Sequence, residues 1–168
     1  MLGMQPKIEA VNTTLMAYPC YVGPVLSDSK AIYIPGEGIL VNGEKQEIKG
    51  LEKIYSLKYH ILEGYLRDNI FYIYDCLTIE EWDTKTSEKE YRDRLVEFRS
   101  IINGVLADYS HFRDLPLDPV DDVGELMEIY KKILTNGNEG AIIRSSEGYY
   151  AFEGTSDDFI EFRRRGKS

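Results

Sequence analysis

Between Cys20 and Asp75, apolar and polar positions alternate in short runs separated by turn residues, the period-two signature of half-buried strands. The pattern predicts strands over Tyr21–Leu26, Lys30–Ile34, Gly38–Val41, Glu44–Ile48, Ile61–Leu66 and Ile70–Cys76. Pro35-Gly36, Asn42-Gly43 and Arg67-Asp68-Asn69 punctuate them. Asn42-Gly43 is a strong two-residue hairpin signal, because both positions tolerate positive φ. In Pro35-Gly36-Glu37-Gly38 a strand-like run follows the glycines. A phosphate-cradling loop would need a helix N-terminus there, so this segment reads as a turn.

The period then lengthens. Ser87-Glu88-Lys89-Glu90 has the form of a capping box, and Tyr91, Leu95, Phe98, Ile102 and Val105 follow at helical spacing, with Gly104 near the helix end. A second helix is predicted from Asp122 to Asn136, with Val123, Leu126, Met127, Tyr130, Ile133 and Leu134 on its apolar face and Gly137 as its cap. The acidic stretch Asp118–Glu128 suits a helix N-terminus through the macrodipole. Three more strand-like runs, Gly140–Ser145, Tyr149–Phe152 and Phe159–Arg163, close the pattern. Strands first, with two main helices inserted among the later ones, define an α+β class with mostly antiparallel sheets.

Composition narrows the function classes. The 168 residues read as a single domain, with hydrophobic content of 43% and charged content of 29% that fit a packed core. Thirteen tyrosines fit sheet surfaces and half-buried aromatic edges. The net charge of −9 disfavours nucleic-acid binding, whose affinity comes from neutralising phosphates, and favours a protein partner with a basic surface.

Cys20 and Cys76 are isolated in apolar surroundings, and His60 and His111 have no neighbouring ligands. Buried thiols in a reducing compartment and no metal site are expected. No run approaches membrane-spanning length and the N-terminus lacks a signal-peptide pattern, so the expected location is cytoplasmic. Trp82, in Glu80-Glu81-Trp82-Asp83, stands among carboxylates on an expected loop, where it either anchors a partner or packs back on the sheet.

Specific motifs add a further layer. Phe71-Tyr72-Ile73-Tyr74-Asp75-Cys76-Leu77, the acidic segment around Trp82, Tyr91-Arg92-Asp93-Arg94-Leu95 and Glu139-Gly140-Ala141-Ile142-Ile143-Arg144 follow one another in order. Together they resemble the adenylation domain of the ATP-dependent DNA ligases, members of the covalent nucleotidyltransferase superfamily. The resemblance runs over residues 19–165 of a single nucleotidyltransferase-like domain at 1–168. It implies a lysine nucleophile, in a K-x-D-G-x-R pattern, that takes AMP from ATP. The segment Gly23–Tyr33 lines up with that pattern and puts Val25 in the lysine's place. Valine has no nucleophilic atom. Ser27 and Asp28 stand where the aspartate and glycine are expected. Lys30 stands where an arginine contacts the nucleotide sugar, keeping the charge but not the fork.

Two other motifs depart as well. Leu62-Glu63-Gly64-Tyr65 aligns with a D-G-E segment, putting Tyr65 in place of its glutamate. Ile160-Glu161-Phe162-Arg163 offers Glu161 and Arg163 where the resemblance implies two phosphate-facing lysines, and a glutamate there repels a triphosphate. Tyr74, at the adenine-packing position, and Glu139, at a metal- and nucleotide-positioning one, match the family. Read without the resemblance, Tyr74 is equally a core aromatic, Glu139 equally a residue leading into a strand, and Arg163-Arg164-Arg165 a solvated basic tail or a salt-bridge partner. The OB-fold domain of family ligases is not expected in this chain.

The expectation is therefore a degenerate, non-catalytic relative of the adenylation domain that acts as a binding or inhibitory protein. Such a domain suits a viral or mobile-element protein directed at a host nucleic-acid enzyme or defence factor. No catalytic residue and no required cofactor are assigned. The alternatives are a minimal ligase or nucleotidyltransferase with a displaced lysine (Lys30, Lys45 or Lys49) and a module that holds ATP or another nucleotide non-covalently. In that last reading Lys30, Tyr74, Glu139 and Arg163 are relict nucleotide contacts.

Overall fold

The computed structural model describes the backbone of Lys7–Ile8 and residues 17–48 and 57–163 in full. Lys49, Arg164 and Arg165 lie outside the described residues. The strands begin with β1 (Lys7–Ile8), β2 (Cys20–Pro24), β3 (Lys30–Ile34), β4 (Gly38–Val41), β5 (Glu44–Gln46), β6 (His60–Arg67) and β7 (Ile70–Thr78). Then come helices α1 (Ile79–Thr84) and α2 (Tyr91–Asn103), strands β8 (Phe112–Asp114) and β9 (Asp118–Val120), helix α3 (Val123–Thr135), and strands β10 (Gly140–Ser145) and β11 (Phe159–Arg163). The α+β class with mostly antiparallel sheets and two main helices is as expected; β1–β11 and β7–β8 are the parallel pairs.

The chain divides into two compact units, one built on residues 27–115 and the other on residues 4–26 and 116–168. The first holds a six-stranded sheet in the order β5-β4-β3-β6-β7-β8, with α2 packed on β7 and β8. Asn42 and Gly43 both take positive φ and close the β4–β5 hairpin; Asp68 and Asn69 do the same between β6 and β7. Tyr91, Leu95, Phe98 and Ile102 form the buried stripe of α2, while Val105 is exposed beyond the helix end.

The second unit holds a five-stranded sheet in the order β1-β11-β10-β2-β9. Cys20, Val22, Ala141, Ile143, Ile160 and Phe162 form one of its faces, against Leu126 and Ile133 of α3. Each Val, Leu, Ile or Phe side chain so removed from water contributes about 1.5–3 kcal/mol. Tyr130 meets Phe162 edge-on, with centroids 5.6 Å apart. Val123, expected on the apolar stripe, is exposed. Pro119 sits in β9 at the sheet edge, where its missing N–H costs no ladder bond.

Four expectations are corrected. Ser87 does not cap α2: the N-cap is Glu90, with no side-chain bond. The capping box lies upstream, where the Thr78 hydroxyl accepts from the Glu81 amide and Glu81 Oε1 accepts from the Thr78 amide. Glu81 Oε2 also accepts from the Ser87 hydroxyl, whose oxygen accepts from the Lys89 amide ahead of the helix start. That box nucleates α1, so Trp82 is on a helix, half-buried with Lys85 Nζ 4.0 Å over its ring. Tyr149–Phe152 is not a strand; the backbone turns as the Gly148 amide bonds the Ser145 carbonyl, and Tyr150 packs on Phe152 at 4.7 Å. The acidic stretch Asp118–Glu128 also splits: its start pairs as β9, and Asp122 caps α3 by accepting from the Glu125 amide.

Candidate functional site

In the first unit, the β6–β7 ladder changes register between Glu63 and Gly64. Glu63 pairs with Asp75 and Gly64 with Ile73, leaving Tyr74 as the bulged residue. A bulge re-aims a side chain, here the ring of Tyr74. Gly64 is required at this point, since a Cβ on it would lie 1.9 Å from the Tyr72 carbonyl oxygen. Tyr65 and Tyr74, both buried, meet edge-on with centroids 5.3 Å apart. The aromatic that replaces the expected glutamate therefore packs on the ring at the position expected to meet adenine. Lys30, half-buried at the start of β3, stands opposite Tyr65 in the ladder.

The bulge is held from α2. The Tyr91 hydroxyl donates to the Tyr74 carbonyl at 2.6 Å. Arg94 Nε donates to Asp75 Oδ1 at 2.8 Å, Arg94 Nη2 to Asp75 Oδ2 at 3.3 Å, and Arg94 Nη1 to the Lys89 carbonyl at 2.8 Å. Asp75 also accepts from the Cys76 amide. Sequence reasoning placed Asp75 and Arg94 within family-like segments but did not pair them. An arginine on an otherwise apolar helix stripe was the available signal, because a buried guanidinium demands a carboxylate.

Ser27, where the aspartate of the first motif is expected, performs a backbone task. Its hydroxyl donates to the Leu66 carbonyl at 2.9 Å and accepts from the Ser29 amide at 3.1 Å. Asp28 is exposed. At the other end of the β6–β7 ladder, α1 and the start of α2 border a cleft of about 590 Å³ lined by Thr78, Glu80, Glu81, Thr84, Ser87 and Lys89 among others. Lys89 Nζ lies 2.9 Å from Glu97 Oε2 and 3.5 Å from Glu81 Oε1, and His60 Nε2 donates to Glu97 Oε1 at 2.8 Å.

In the second unit, Val25 follows β2 with its side chain buried and its amide donating to the Gly140 carbonyl at 2.9 Å. That bond fixes Val25 beside the Glu139-Gly140 step. Gly140 cannot carry a side chain, because a Cβ there would lie 1.9 Å from the Phe162 carbonyl oxygen. Arg163 brings two of the predicted positions together: its Nε pairs with Glu161, and its Nη1 lies 3.6 Å from Glu139 Oε2. Glu161 is fully buried, and Glu139 is half-exposed. Arg144, also buried, lies over the Phe159 ring at 4.1 Å. The lysines among this unit's described side chains, Lys131 and Lys132, are exposed on α3. No group of three or more His, Cys, Asp or Glu side chains among the described residues is arranged to hold a metal ion.

No protein-family model and no curated protein matches the sequence. Solved structures do. The structure named Pmar-Lig_PreS3 superposes with a TM-score of 0.78 at 13% identity, over 97% of this chain and 46% of that one. The chain has the fold of ATP-dependent DNA ligase adenylation domains. The ATP-dependent DNA ligase from bacteriophage T7, solved with ATP, matches with a TM-score of 0.72 at 12% identity over 98% of this chain and 69% of that one. The Chlorella virus DNA ligase-adenylate matches at 0.58 and 18% over 96% and 69%. The ligase-fold chain thus spans less than half the length of the Pmar-Lig structures. Among its described residues, no helix is long and apolar enough to cross a membrane.

Proposed function

We propose that this chain is a non-catalytic protein with the ligase adenylation fold that works by binding, its partner a protein with a basic surface. The observation that carries the reading is Val25. It occupies the expected nucleophile position, buried beside Gly140, with an alkyl side chain that cannot attack a phosphorus atom. Tyr65 packed on Tyr74 and Glu161 paired to Arg163 add support, since each replaces a nucleotide-facing group with one packed or ion-paired inside its own unit. The net charge and the acidic cleft bordered by Glu80, Glu81, Glu88 and Asp93 favour a cationic partner surface. A host nucleic-acid enzyme or defence factor, met by a viral or mobile-element protein, fits that chemistry.

The test is incubation with α-labelled ATP or GTP and a divalent metal, followed by a denaturing gel. No labelled band is expected. A band lost on changing a single lysine, Lys30 first, sinks the reading in favour of an enzyme with a displaced nucleophile. Affinity capture with the charge-reversed variant Glu80→Lys/Asp93→Lys as control tests the partner surface; equal capture by both chains contradicts an acidic docking surface.

A further inference from the structure

None of the six residues of α1 is buried, so apolar burial does little to hold this helix in place. Six residues are also too few for a helix to persist alone in water. What holds α1 is polar and converges on Glu81. Its Oε1 accepts from the Thr78 amide and lies 3.5 Å from Lys89 Nζ, and its Oε2 accepts from the Ser87 hydroxyl. Ser87 and Lys89 belong to the segment between α1 and α2, so one carboxylate clasps the helix to the chain that follows it. Both ends are suited to pivoting. At the first, the Ile79 amide donates to the Tyr59 carbonyl at 2.9 Å and ties the helix start to the chain entering β6. At the second, Lys85 takes φ 54°, a left-handed conformation strained for a residue with a side chain. Across the cleft that α1 walls, Glu80, Glu81, Glu88 and Asp93 line the space with Lys89 as the one cation among the lining residues, and like charge pushes its walls apart.

We propose that α1 is a latched lid on this cleft, opening as a unit about Thr78 and Lys85 while the six-stranded sheet stays folded, with Glu81 as the latch. Opening breaks the Glu81 contacts to Ser87 and Lys89 and relaxes the Lys85 backbone. It also widens the cleft and uncovers the Trp82 ring, which Lys85 Nζ overlies at 4.0 Å in the closed state. The two states thus offer different surfaces to a partner, and any partner that prefers one of them shifts the balance. The device is independent of whether the chain is catalytic.

The experiment is native-state hydrogen exchange of the full chain over low urea concentrations. The Lys85 and Thr86 amides, both bonded to the Glu81 carbonyl, report on the lid. In the wild-type protein they are expected to exchange at least about a hundredfold faster than the β7 amides, at a rate nearly independent of urea, because local opening exposes little surface. They are still expected to exchange more slowly than in an unstructured chain, the mark of a latch that holds. Glu81→Gln keeps one acceptor but loses the charge, and is expected to speed both amides at least about tenfold while leaving β7 unchanged. Ser87→Ala is expected to act in the same direction by less. Acrylamide quenching of Trp82, the single tryptophan of the chain, should rise in step. Lid amides as protected and as urea-dependent as those of β7, lid amides without protection in the wild-type protein, or lid exchange unmoved by Glu81→Gln each overturn the proposal. The wild-type arm decides even where a variant fails to fold.

Discussion

Arg94 grips the Asp75 carboxylate with its Nε and Nη2 nitrogens, and both side chains are almost completely removed from solvent. The pair anchors α2 to β7 at the bulge that sets the Tyr74 ring. Removing one partner strands a charge in the interior, a loss of about 3–5 kcal/mol, whereas removing both leaves no orphan. Asp75→Asn and Arg94→Met are therefore each expected to destabilise strongly, and the double variant by much less than their sum. Urea unfolding of the four proteins measures the coupling. Additive single effects would show that the two groups act independently.

Gly64 faces a different constraint. A methyl group there would overlap the Tyr72 carbonyl, and backbone in the middle of a sheet has nowhere to move. Gly64→Ala is expected to cost more than about 2 kcal/mol, well beyond the ordinary penalty or gain of adding a Cβ in a strand. Gly43→Ala, in the open β4–β5 turn at φ 82°, should cost less, since it meets strain but no atom within 4 Å. Thermal unfolding midpoints rank the two. A Gly64→Ala protein as stable as wild type would contradict the assigned bulge geometry.

The fold was legible where local chemistry dominates. Asn42-Gly43 announced its hairpin, and Asp122 with Gly137 bracketed α3, because turn and cap preferences act within a few residues. The failures have physical causes. Ser87 had the right spacing for a cap, but the helix begins only at Tyr91, and the Ser87 oxygen accepts from the Lys89 amide before it. The three-residue strands β8 and β9 are too short to show a period and depend on pairing with distant β7 and β2. At the candidate site, Val25, Tyr65 and Glu161 could be named from motif positions alone. That Tyr65 packs on Tyr74, and that Arg163 joins Glu161 to Glu139, required the ladder registers.

Both thiols are predicted to be inert in the folded protein. Burial pushes Cys20 up to about 12, and it raises Cys76 strongly, with the nearby Asp75 carboxylate adding to the effect. The Cys76 thiol also donates to the Arg94 carbonyl at 3.5 Å. Since only the thiolate attacks, a disulfide reagent at pH 8 should find no reactive thiol in native protein and both after denaturation. Rapid modification of native protein would contradict the burial of these residues.

The last prediction concerns acid. Glu97 is held below its ordinary value of 4.5, first by the His60 hydrogen bond and then by Lys89, against the opposing effect of burial. Burial is the largest influence on Glu81 and would raise it, but the Ser87 hydroxyl, the Thr78 amide and Lys89 together outweigh it and hold it low as well. A carboxylate depressed in the folded state adds stability above its unfolded value and loses it as pH falls through the folded value. Lys89 has the opposite sign: although burial opposes it, Glu97 and Glu81 raise it, so its contribution is complete below its ordinary value of 10.5 and fades only at higher pH. As pH falls toward about pH 3 the two glutamates therefore lose part of the stability they add, and Lys89 stays charged. Urea midpoints should fall across this range in the wild-type protein. Glu97→Gln should start lower at pH 7 and show a shallower decline, because it has no proton to take up. An equally steep decline in that variant would show that this network is not what couples folding to pH.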